Sequence, residues 1–308
     1  MRSRDLQYLL LLIRLLIWIL PRVSAEQDKG AKMIKILRGT AVLFLFFCLS
    51  FYATVVLAVD YNDGTHCNQG WYGIVYGSWF SSNEITDGSG DTEVGDLDLD
   101  AGSIALRPVY YGREWVVSLI IPFGYIESDH YAQNSGGLGD IYLGAGYFLP
   151  VDCINILPFV SVKLPSGDHE SDRNINIGSG QTDVSMEIYI NKHYERFSFD
   201  GVFKYRWRFD NGTRDLDPGD EYTIEGLITY ELFPGLRAGP GLEYLSGGED
   251  ILDGEAVNDS SAKLLILGAE VIWQATPDLQ IMVEGMSDLV GENVAKGTLF
   301  RTRICYSF

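Results

Sequence analysis

Beyond residue 58 the sequence contains no run of 18 consecutive apolar residues. A transmembrane helix needs about 20 such residues, so this part of the chain is not a helical membrane protein. Basic residues are also scarce, with 23 Lys and Arg against 42 Asp and Glu. Because a nucleic-acid partner requires positive charge opposite its phosphates, the sequence argues against one.

Cysteine and histidine are equally few, with four residues of each type. Cys67, Cys153 and Cys305 follow residue 58, and none of them belongs to a C-x-x-C pair. The sequence therefore predicts neither a thiolate metal site nor a cofactor. In an exported protein this odd number of cysteines permits at most one disulfide and leaves a spare thiol.

The N-terminal region has the features of a secretion signal. Residues 33–58 combine a basic start, an apolar core from Thr40 and a V-L-A ending, which predicts cleavage after Ala58. We interpret residues 1–32 as an over-extended N-terminus, with an inner-membrane anchor as the alternative. Removing residues 1–58 takes away eight basic and three acidic residues, which leaves 15 basic and 39 acidic residues and a net charge of −24.

The last eleven residues, T-L-F-R-T-R-I-C-Y-S-F, alternate between two faces. Phe300, Ile304, Tyr306 and Phe308 fall on the apolar face, whereas Arg301 and Arg303 fall on the other. A chain that ends on such a strand is typical of outer-membrane barrels, in which the last strand pairs with the first and removes the sheet edge. We therefore assign the four apolar residues to barrel closure and assembly.

The same alternation recurs along residues 59–308 and predicts twelve strands: 71–80, 97–110, 115–126, 138–149, 155–165, 180–191, 197–210, 220–232, 236–246, 262–274, 279–287 and 298–308. Most reach the nine to eleven residues of a tilted transmembrane strand. Short connections alternate with long polar ones, which are predicted at 81–96, 127–137, 166–179, 211–219, 247–261 and 288–297.

This organisation predicts an all-β fold. We expect a transmembrane antiparallel up-and-down β-barrel of about 12 strands in the bacterial outer membrane, with both termini periplasmic. Outer-membrane lipid, lipopolysaccharide and the barrel-assembly machinery are its expected partners.

The polar face of the predicted strands carries charges of both signs. They are interpreted either as a packed electrostatic interior or as the wall of a charge-selective pore, two readings of about equal weight. The candidate lumen-lining residues are Trp71, Trp79, Lys163, Glu187, Lys204, Arg206, Arg208, Glu225, Glu270, Glu284, Arg301 and Arg303. Arg206 and Arg208 are expected opposite Glu187 and Glu225, and Arg301 and Arg303 beside Glu284.

Closure of the barrel would bring Cys67, just before the first strand, near Cys305 in the last one. The two thiols can then form a disulfide, although three unpaired cysteines remain the slightly favoured alternative because bridge geometry is strict. Cys153, in a distant turn, would be the spare thiol.

Catalysis is not predicted. Only His169, which is followed by Glu170, Ser171 and Asp172, could contribute to a hydrolase site, and we interpret it as a solvated loop residue. Asp140 and Asp183 are interpreted as caps of turn amides rather than as ligands.

Three motifs on consecutive hairpins carry a resemblance to a known family. They are G-L-G-D-I at 137–141, V-K-L-P-S-G-D at 162–168 and I-G-S-G-Q-T-D at 177–183. With the terminal aromatic strand, they resemble the porin-like outer-membrane family described as "putative MetA-pathway of phenol degradation". The resemblance implies a barrel and brings no catalytic residues with it.

The sequence therefore favours a channel or transporter for a small solute. The resemblance implies that the solute is an aromatic or other apolar catabolite, and Trp71 and Trp79 could stack on such a ring in the lumen. The alternative is a non-conducting structural or adhesion barrel with acidic extracellular loops.

Overall fold

The computed structural model describes residues 62–65, 68–173, 175–211 and 215–308. The predicted signal and Cys67 lie outside these residues. Within them no helix is long and apolar enough to cross a membrane. The described strands are β1 (Gly70–Thr86), β2 (Thr92–Tyr111), β3 (Trp115–Ser128), β4 (Gln133–Leu138), β5 (Ile141–Tyr147), β6 (Asn155–Leu164), β7 (Asp183–Tyr194), β8 (Phe197–Arg208), β9 (Leu216–Asp217), β10 (Glu221–Phe233), β11 (Leu236–Gly247), β12 (Ile251–Leu252), β13 (Glu255–Ala256), β14 (Lys263–Thr276), β15 (Leu279–Glu292) and β16 (Ala295–Ser307).

One sheet of 13 strands closes on itself to form a barrel. Each strand pairs antiparallel with its neighbour in sequence, and β1 pairs with β16 from Tyr72↔Ser307 to Ile85↔Ala295. β4 and β5 are two halves of one crossing, because both pair with β3. The barrel therefore has twelve crossings, and the predicted closure of the first strand on the last is confirmed. The three short strands β9, β12 and β13 form a separate sheet.

Side chains alternate between the two faces of this barrel, except at a few register shifts such as the one between Ser82 and Glu84. Leu143, Val160, Phe203 and Leu267 are exposed on the outside, and charged residues are buried inside. An apolar exterior around a polar interior is the arrangement of transmembrane barrels of bacterial outer membranes. The predicted fold class is therefore confirmed.

The two ends of the barrel differ. We call the end with both termini of the barrel and the short connections 112–114, 148–154, 195–196, 234–235 and 277–278 the turn end, and the opposite end the loop end. At the loop end, the connections 165–182, 209–220 and 248–262 are long, as predicted.

Three other predicted loops are instead extensions of hairpins. β1 and β2 continue to the tip 87–91, β3 and β4 meet at 129–132, and β15 and β16 are separated only by 293–294. The extensions are stable because they carry inward-facing apolar residues within a polar sequence: Ile85, Leu97 and Leu99 on the first hairpin and Val294 and Ala295 on the last are buried. Their burial inside the barrel overrides the polar composition that predicts loops.

Buried apolar residues form two layers in the lumen. The collar, at the loop end, consists of Phe80, Ile85, Leu97, Leu99, Ile126, Ile175, Leu245, Ala262, Leu264, Ile266, Met286, Val294, Ala295 and Leu299. A second layer, richer in aromatic residues, lies at the turn end and includes Tyr76, Tyr111 and Phe159. Charged side chains lie between these two layers. On β16, Arg301 is the next inward-facing residue after Leu299 of the collar, and Glu284 of the neighbouring β15 lies opposite Arg301.

Candidate functional site

The structure places all the predicted lumen-lining charged residues inside the barrel, each less than 10% exposed. They are Lys163, Glu187, Lys204, Arg206, Arg208, Glu225, Glu270, Glu284, Arg301 and Arg303. Phe300, Ile304, Tyr306 and Phe308 lie on the outer surface of the closing strand, as their alternation predicts.

Trp71 and Trp79 do not line the lumen, so that prediction is wrong. They are 57% and 51% exposed on the outer surface, where Trp79 lies opposite the outward-facing Phe300. β1 carries large apolar residues on both faces, with Tyr76 and Phe80 directed inward. Alternation alone therefore could not identify the lumenal side of this strand.

Several of the buried charges form ion pairs, although not all with the predicted partners. Arg301 Nε lies 2.6 Å from Glu284 Oε2, which confirms that pairing. Arg206 Nη1 lies 3.1 Å from Glu221 Oε1 rather than beside Glu187. Register explains this choice, because Arg206 lies directly opposite Glu221 in the β8–β10 ladder.

The connection 165–182, which we call the inner loop, folds into the barrel. Asp140, in the short break between β4 and β5, holds both ends of this loop. Its Oδ1 accepts a hydrogen bond from Gly167 N (3.0 Å), and its Oδ2 accepts two from Ser179, through N (2.8 Å) and Oγ (2.6 Å). The interpretation of Asp140 as a cap for backbone amides is confirmed.

Lys163 completes this polar cluster on β6. Its Nζ lies 2.6 Å from Asp183 Oδ2 and 3.8 Å from Asp140 Oδ2, and it donates a hydrogen bond to Ser179 Oγ (2.6 Å). A single lysine thus lies between two buried carboxylates that would otherwise repel each other. We call Asp140, Lys163, Ser179 and Asp183 the latch.

Glycine makes the close packing of the latch possible. A Cβ on Gly178 would lie 2.6 Å from the carbonyl carbon of Gly167, and a Cβ on Gly167 would lie 2.7 Å from Cα of Gly178. Both distances are shorter than any real contact of this kind. The two ends of the inner loop, 167–169 and 178–179, which we call the neck, therefore meet only because neither Gly167 nor Gly178 has a side chain. The three motifs of the sequence therefore converge at one place, around the latch.

The tip of the inner loop reaches the collar. Ile175 is completely buried there, and Ile177 packs against the same cluster. A Cβ on Gly124 of β3 would lie 3.3 Å from Cδ1 of Ile177, which locates that side chain against the barrel wall.

His169 belongs to the neck of the inner loop. Its Nδ1 lies 3.2 Å from Gly178 O, and its Nε2 lies 3.4 Å from Nδ2 of Asn211 on the next connection. Asn211 also donates to Ser179 O (2.8 Å). These contacts give His169 a structural place in the loop, more ordered than the solvated position that the sequence predicts.

At the turn end the segment 62–65 enters the lumen. Asp63 Oδ1 lies 3.2 Å from Nη1 of Arg303 and 3.8 Å from Nη1 of Arg107. Across the barrel, Asn62 N donates to Asp200 Oδ1 (3.0 Å). This segment could not be identified from the sequence, because its polar residues D-Y-N-D-G-T resemble an ordinary linker.

Comparison with known proteins supports the fold. The sequence model of the family described as "Putative MetA-pathway of phenol degradation" matches residues 82–304. An outer membrane channel from Pseudomonas putida F1 is similar in structure, with a TM-score of 0.75, 24% identity, and coverage of 81% of this chain and 100% of that chain.

Two porins show a weaker similarity. The NanC porin has a TM-score of 0.47 at 11% identity over 77% of this chain and 100% of its own. The KdgM porin has a TM-score of 0.46 at 14% identity over 77% of this chain and 99% of its own. No curated protein sequence matches the chain at a significant level.

Proposed function

The chain belongs to the family described as "Putative MetA-pathway of phenol degradation", and we propose that it is an outer-membrane channel for a small solute whose passage is controlled by the inner loop. In the arrangement described above, the inner loop occupies the lumen at the loop end. Movement of this loop would open a path through the barrel.

The proposal is supported by the observation that the lumen is filled in part by segments outside the barrel strands. A barrel of twelve strands is wider than the eight-stranded barrels that side chains can fill. Here the space is taken at one end by Ile175 of a loop and at the other by Asp63 of the segment 62–65. Segments that close a lumen by folding into it can move out again, whereas strand side chains cannot.

We further propose that the loop end faces the exterior and the turn end the periplasm, because short turns of outer-membrane barrels are periplasmic. Outer-membrane lipid and lipopolysaccharide would then surround the exposed apolar band, and the barrel-assembly machinery would insert the chain after cleavage at Ala58. The family description suggests an aromatic or other apolar catabolite as the solute.

A second candidate is a non-conducting adhesion barrel. The β1–β2 hairpin favours it, because its tip carries Asp87 and Asp91 and its second strand continues with Glu93, Asp96 and Asp98. Such an acidic tip could bind cations or a partner outside the cell.

Ion conductance of the refolded protein in planar bilayers distinguishes the two candidates. The test variant replaces residues 169–177 by two glycines, a change that the neck allows because Gly178 N donates to Asp168 O (2.9 Å). The matched control replaces residues 251–256 in the same way, between Asp250 and Val257, whose backbones are joined by a 2.8 Å hydrogen bond.

We expect the first variant to conduct several times more current than the wild type and the control to match the wild type. Because the lumen of the first variant has lost Ile175, its conductance should also fluctuate less. The absence of conductance in both the wild type and the shortened variant, with normal heat-modifiable migration, would favour the adhesion barrel.

A further inference from the structure

A groove lies on the outer surface of the barrel at the loop end, apart from the lumen. It encloses about 520 Å³, within the range of roughly 300–1,000 Å³ that is typical of small-molecule sites. Tyr205 of β8, Tyr222 of β10 and Ser246 of β11 form its lower wall, and the connections 209–220 and 248–262 form its upper wall. We call it the rim groove.

The rim groove begins where the apolar outer surface ends. On β10, Ile224 lies opposite Phe203 of β8, and each side chain is 46% exposed. The next outward-facing pair toward the loop end is Tyr222 with Tyr205, and the polar connections follow. Aromatic girdles of outer-membrane barrels lie at the two membrane interfaces. With the loop end facing the exterior, the groove is therefore at the depth of the lipopolysaccharide head groups.

Hydrogen bonds fix the shape of the rim groove. Asp220 accepts the Tyr205 hydroxyl through Oδ2 (2.8 Å) and the Arg208 N–H through Oδ1 (3.2 Å), and its carbonyl oxygen accepts Gly248 N–H (2.8 Å). A Cβ on Gly219 would lie 2.4 Å from Gly248 O, so the two connections meet through backbone alone. The groove is thus built on paired backbone and on a tyrosine held in one orientation.

The rim groove combines aromatic rings with hydrogen-bond acceptors. The rings of Tyr205 and Tyr222 offer flat apolar surfaces, and Tyr222 is 37% exposed. Above these rings, Asp217 and Glu249 are exposed in the upper wall, and ionised carboxylates only accept hydrogen bonds. A pyranose ring has apolar C–H groups on its faces and hydroxyl donors around its edge, so it matches both features.

Two other kinds of ligand fit the rim groove less well. A phosphate group would meet like charge from Asp217, Asp220 and Glu249. A divalent cation such as Ca²⁺ takes several protein oxygens, and in the described part of the chain no three Asp, Glu, His or Cys side chains converge to hold a metal ion. An unphosphorylated sugar is the ligand class that fits best.

We propose that the rim groove binds an unphosphorylated sugar ring of the lipopolysaccharide core. The ring lies against Tyr222 and Tyr205 and donates hydrogen bonds to Asp217 and Glu249. This inference goes beyond the proposed function. It holds equally for a channel and for an adhesion barrel, because the groove lies outside the lumen.

Isothermal titration calorimetry of the refolded protein in phospholipid nanodiscs tests the proposal. The probe is the core oligosaccharide released from lipopolysaccharide and freed of phosphate. Because it is soluble, it reaches both faces of the disc, so the result does not depend on the orientation of the barrel. Choline is the cationic comparison, and inorganic phosphate is the anionic one.

The test variants are Tyr222→Ala and Glu249→Gln. Their matched controls are Tyr125→Ala and Glu127→Gln on β3, which change an exposed tyrosine and its hydrogen-bonded carboxylate (2.7 Å) outside the rim groove. Heat-modifiable migration checks the folding of each variant. If Tyr222→Ala does not fold, the comparison of Glu249→Gln with Glu127→Gln decides.

We expect the wild type to bind the oligosaccharide in a saturable way. Tyr222→Ala should weaken binding about tenfold, because one of the two apolar rings is lost. Glu249→Gln should weaken it severalfold, because a neutral amide accepts weaker hydrogen bonds than a carboxylate. Both controls should bind like the wild type, and choline and phosphate should bind more weakly than the oligosaccharide.

Intact lipopolysaccharide identifies the source of the sugar. In nanodiscs that contain lipopolysaccharide with the same core, the added oligosaccharide should bind about tenfold more weakly, because the anchored core already occupies the groove. Discs that contain lipid A, which lacks the core, should bind it like discs of phospholipid. Equal affinity with and without the anchored core, unchanged affinity in the folded test variants, or tighter binding of choline would overturn the proposal.

Discussion

Ser179 donates two hydrogen bonds to one oxygen of Asp140, although 39 residues separate them in the sequence. Through this contact, and through Gly167 N on the other carboxylate oxygen, Asp140 fixes both ends of the inner loop inside the barrel. We therefore expect the latch to keep the loop in the lumen.

Replacing the latch carboxylate should release the loop. In Asp140→Asn, the amide nitrogen can no longer accept either the Gly167 N–H or the Ser179 donors, so at least one hydrogen bond is lost. Since hydrogen bonds to charged groups contribute about 1.5–3 kcal/mol each, the ratio of open to closed channels should rise about 10- to 100-fold. Single-channel recording measures this ratio, and Asp152→Asn, in an exposed turn at the other end, is the control. Equal open probabilities in Asp140→Asn and the wild type would show that the latch does not hold the loop.

Adding a methyl group to the neck should also displace the loop. Gly178→Ala places a Cβ 2.6 Å from the Gly167 backbone, and overpacking of this kind costs about 1–3 kcal/mol. We expect faster trypsin cleavage after Arg173 in the loop. Gly95→Ala, where the added Cβ would have nothing within 4 Å, should be cleaved as slowly as the wild type. Similar cleavage rates in the two variants would mean that the neck tolerates the extra atom.

Barrel closure should depend on the last residue. Phe308 N donates to Trp71 O (3.0 Å) and its ring contacts that of Tyr306, so it ends the seam between β16 and β1. Deleting Phe308 should leave the chain degraded or in the periplasm, whereas Phe233→Ala, which removes another exposed aromatic ring at the turn end, should assemble. Heat-modifiable migration in outer-membrane fractions measures assembly, and a normal pattern for the deletion would contradict the role given to Phe308.

Asp250 should make the packing of connection 209–220 against connection 248–262, both at the loop end, depend on pH. Its carboxylate accepts the Gly219 N–H (2.9 Å), and burial raises its pKa above the usual value of about 3.9. A raised pKa in the folded state means that protonation favours the packed arrangement, so this contribution is present at low pH and is lost as the pH rises through the folded-state pKa.

Gly248 N donates to Asp220 O (2.8 Å) and so joins the two connections. Its amide exchange, corrected for the intrinsic rate, should therefore be slower at about pH 4 than at about pH 7. Asp250→Asn should remove most of the difference, and Asp253→Asn in the same connection should retain it. A pH dependence that survives in Asp250→Asn would assign the effect to another group.

The fold could be predicted because most strands carry charge on one face only. In β16, Arg301 and Arg303 alternate with Phe300 and Ile304, and the structure separates them into lumen and exterior as expected. The predicted first strand, 71–80, contains no charged residue, and its orientation follows only from its neighbour, in which Arg303 lies opposite Tyr76. The assignment of Trp71 and Trp79 failed for this reason.

The latch could not be predicted, because its hydrogen bonds join residues 16 to 39 positions apart and depend on how a long loop folds. The sequence did contain the relevant residues, since Asp140, Lys163 and Asp183 each lie in one of the three glycine-containing motifs. What a single sequence cannot supply is the approach of Gly167 to Gly178. The disulfide between Cys67 and Cys305 stays a prediction, since Cys67 lies outside the described residues.

The placement of tryptophan has a practical consequence. Among the described residues, Trp71, Trp79, Trp115, Trp207 and Trp273 are all exposed on the outside of the barrel, and the lumen contains none. Their fluorescence would therefore respond to lipid composition and to quenchers dissolved in the bilayer, and would be insensitive to a solute in transit. Because no described tryptophan lies in the lumen, a single tryptophan introduced there can be distinguished from the outer ones by its quenching with water-soluble iodide.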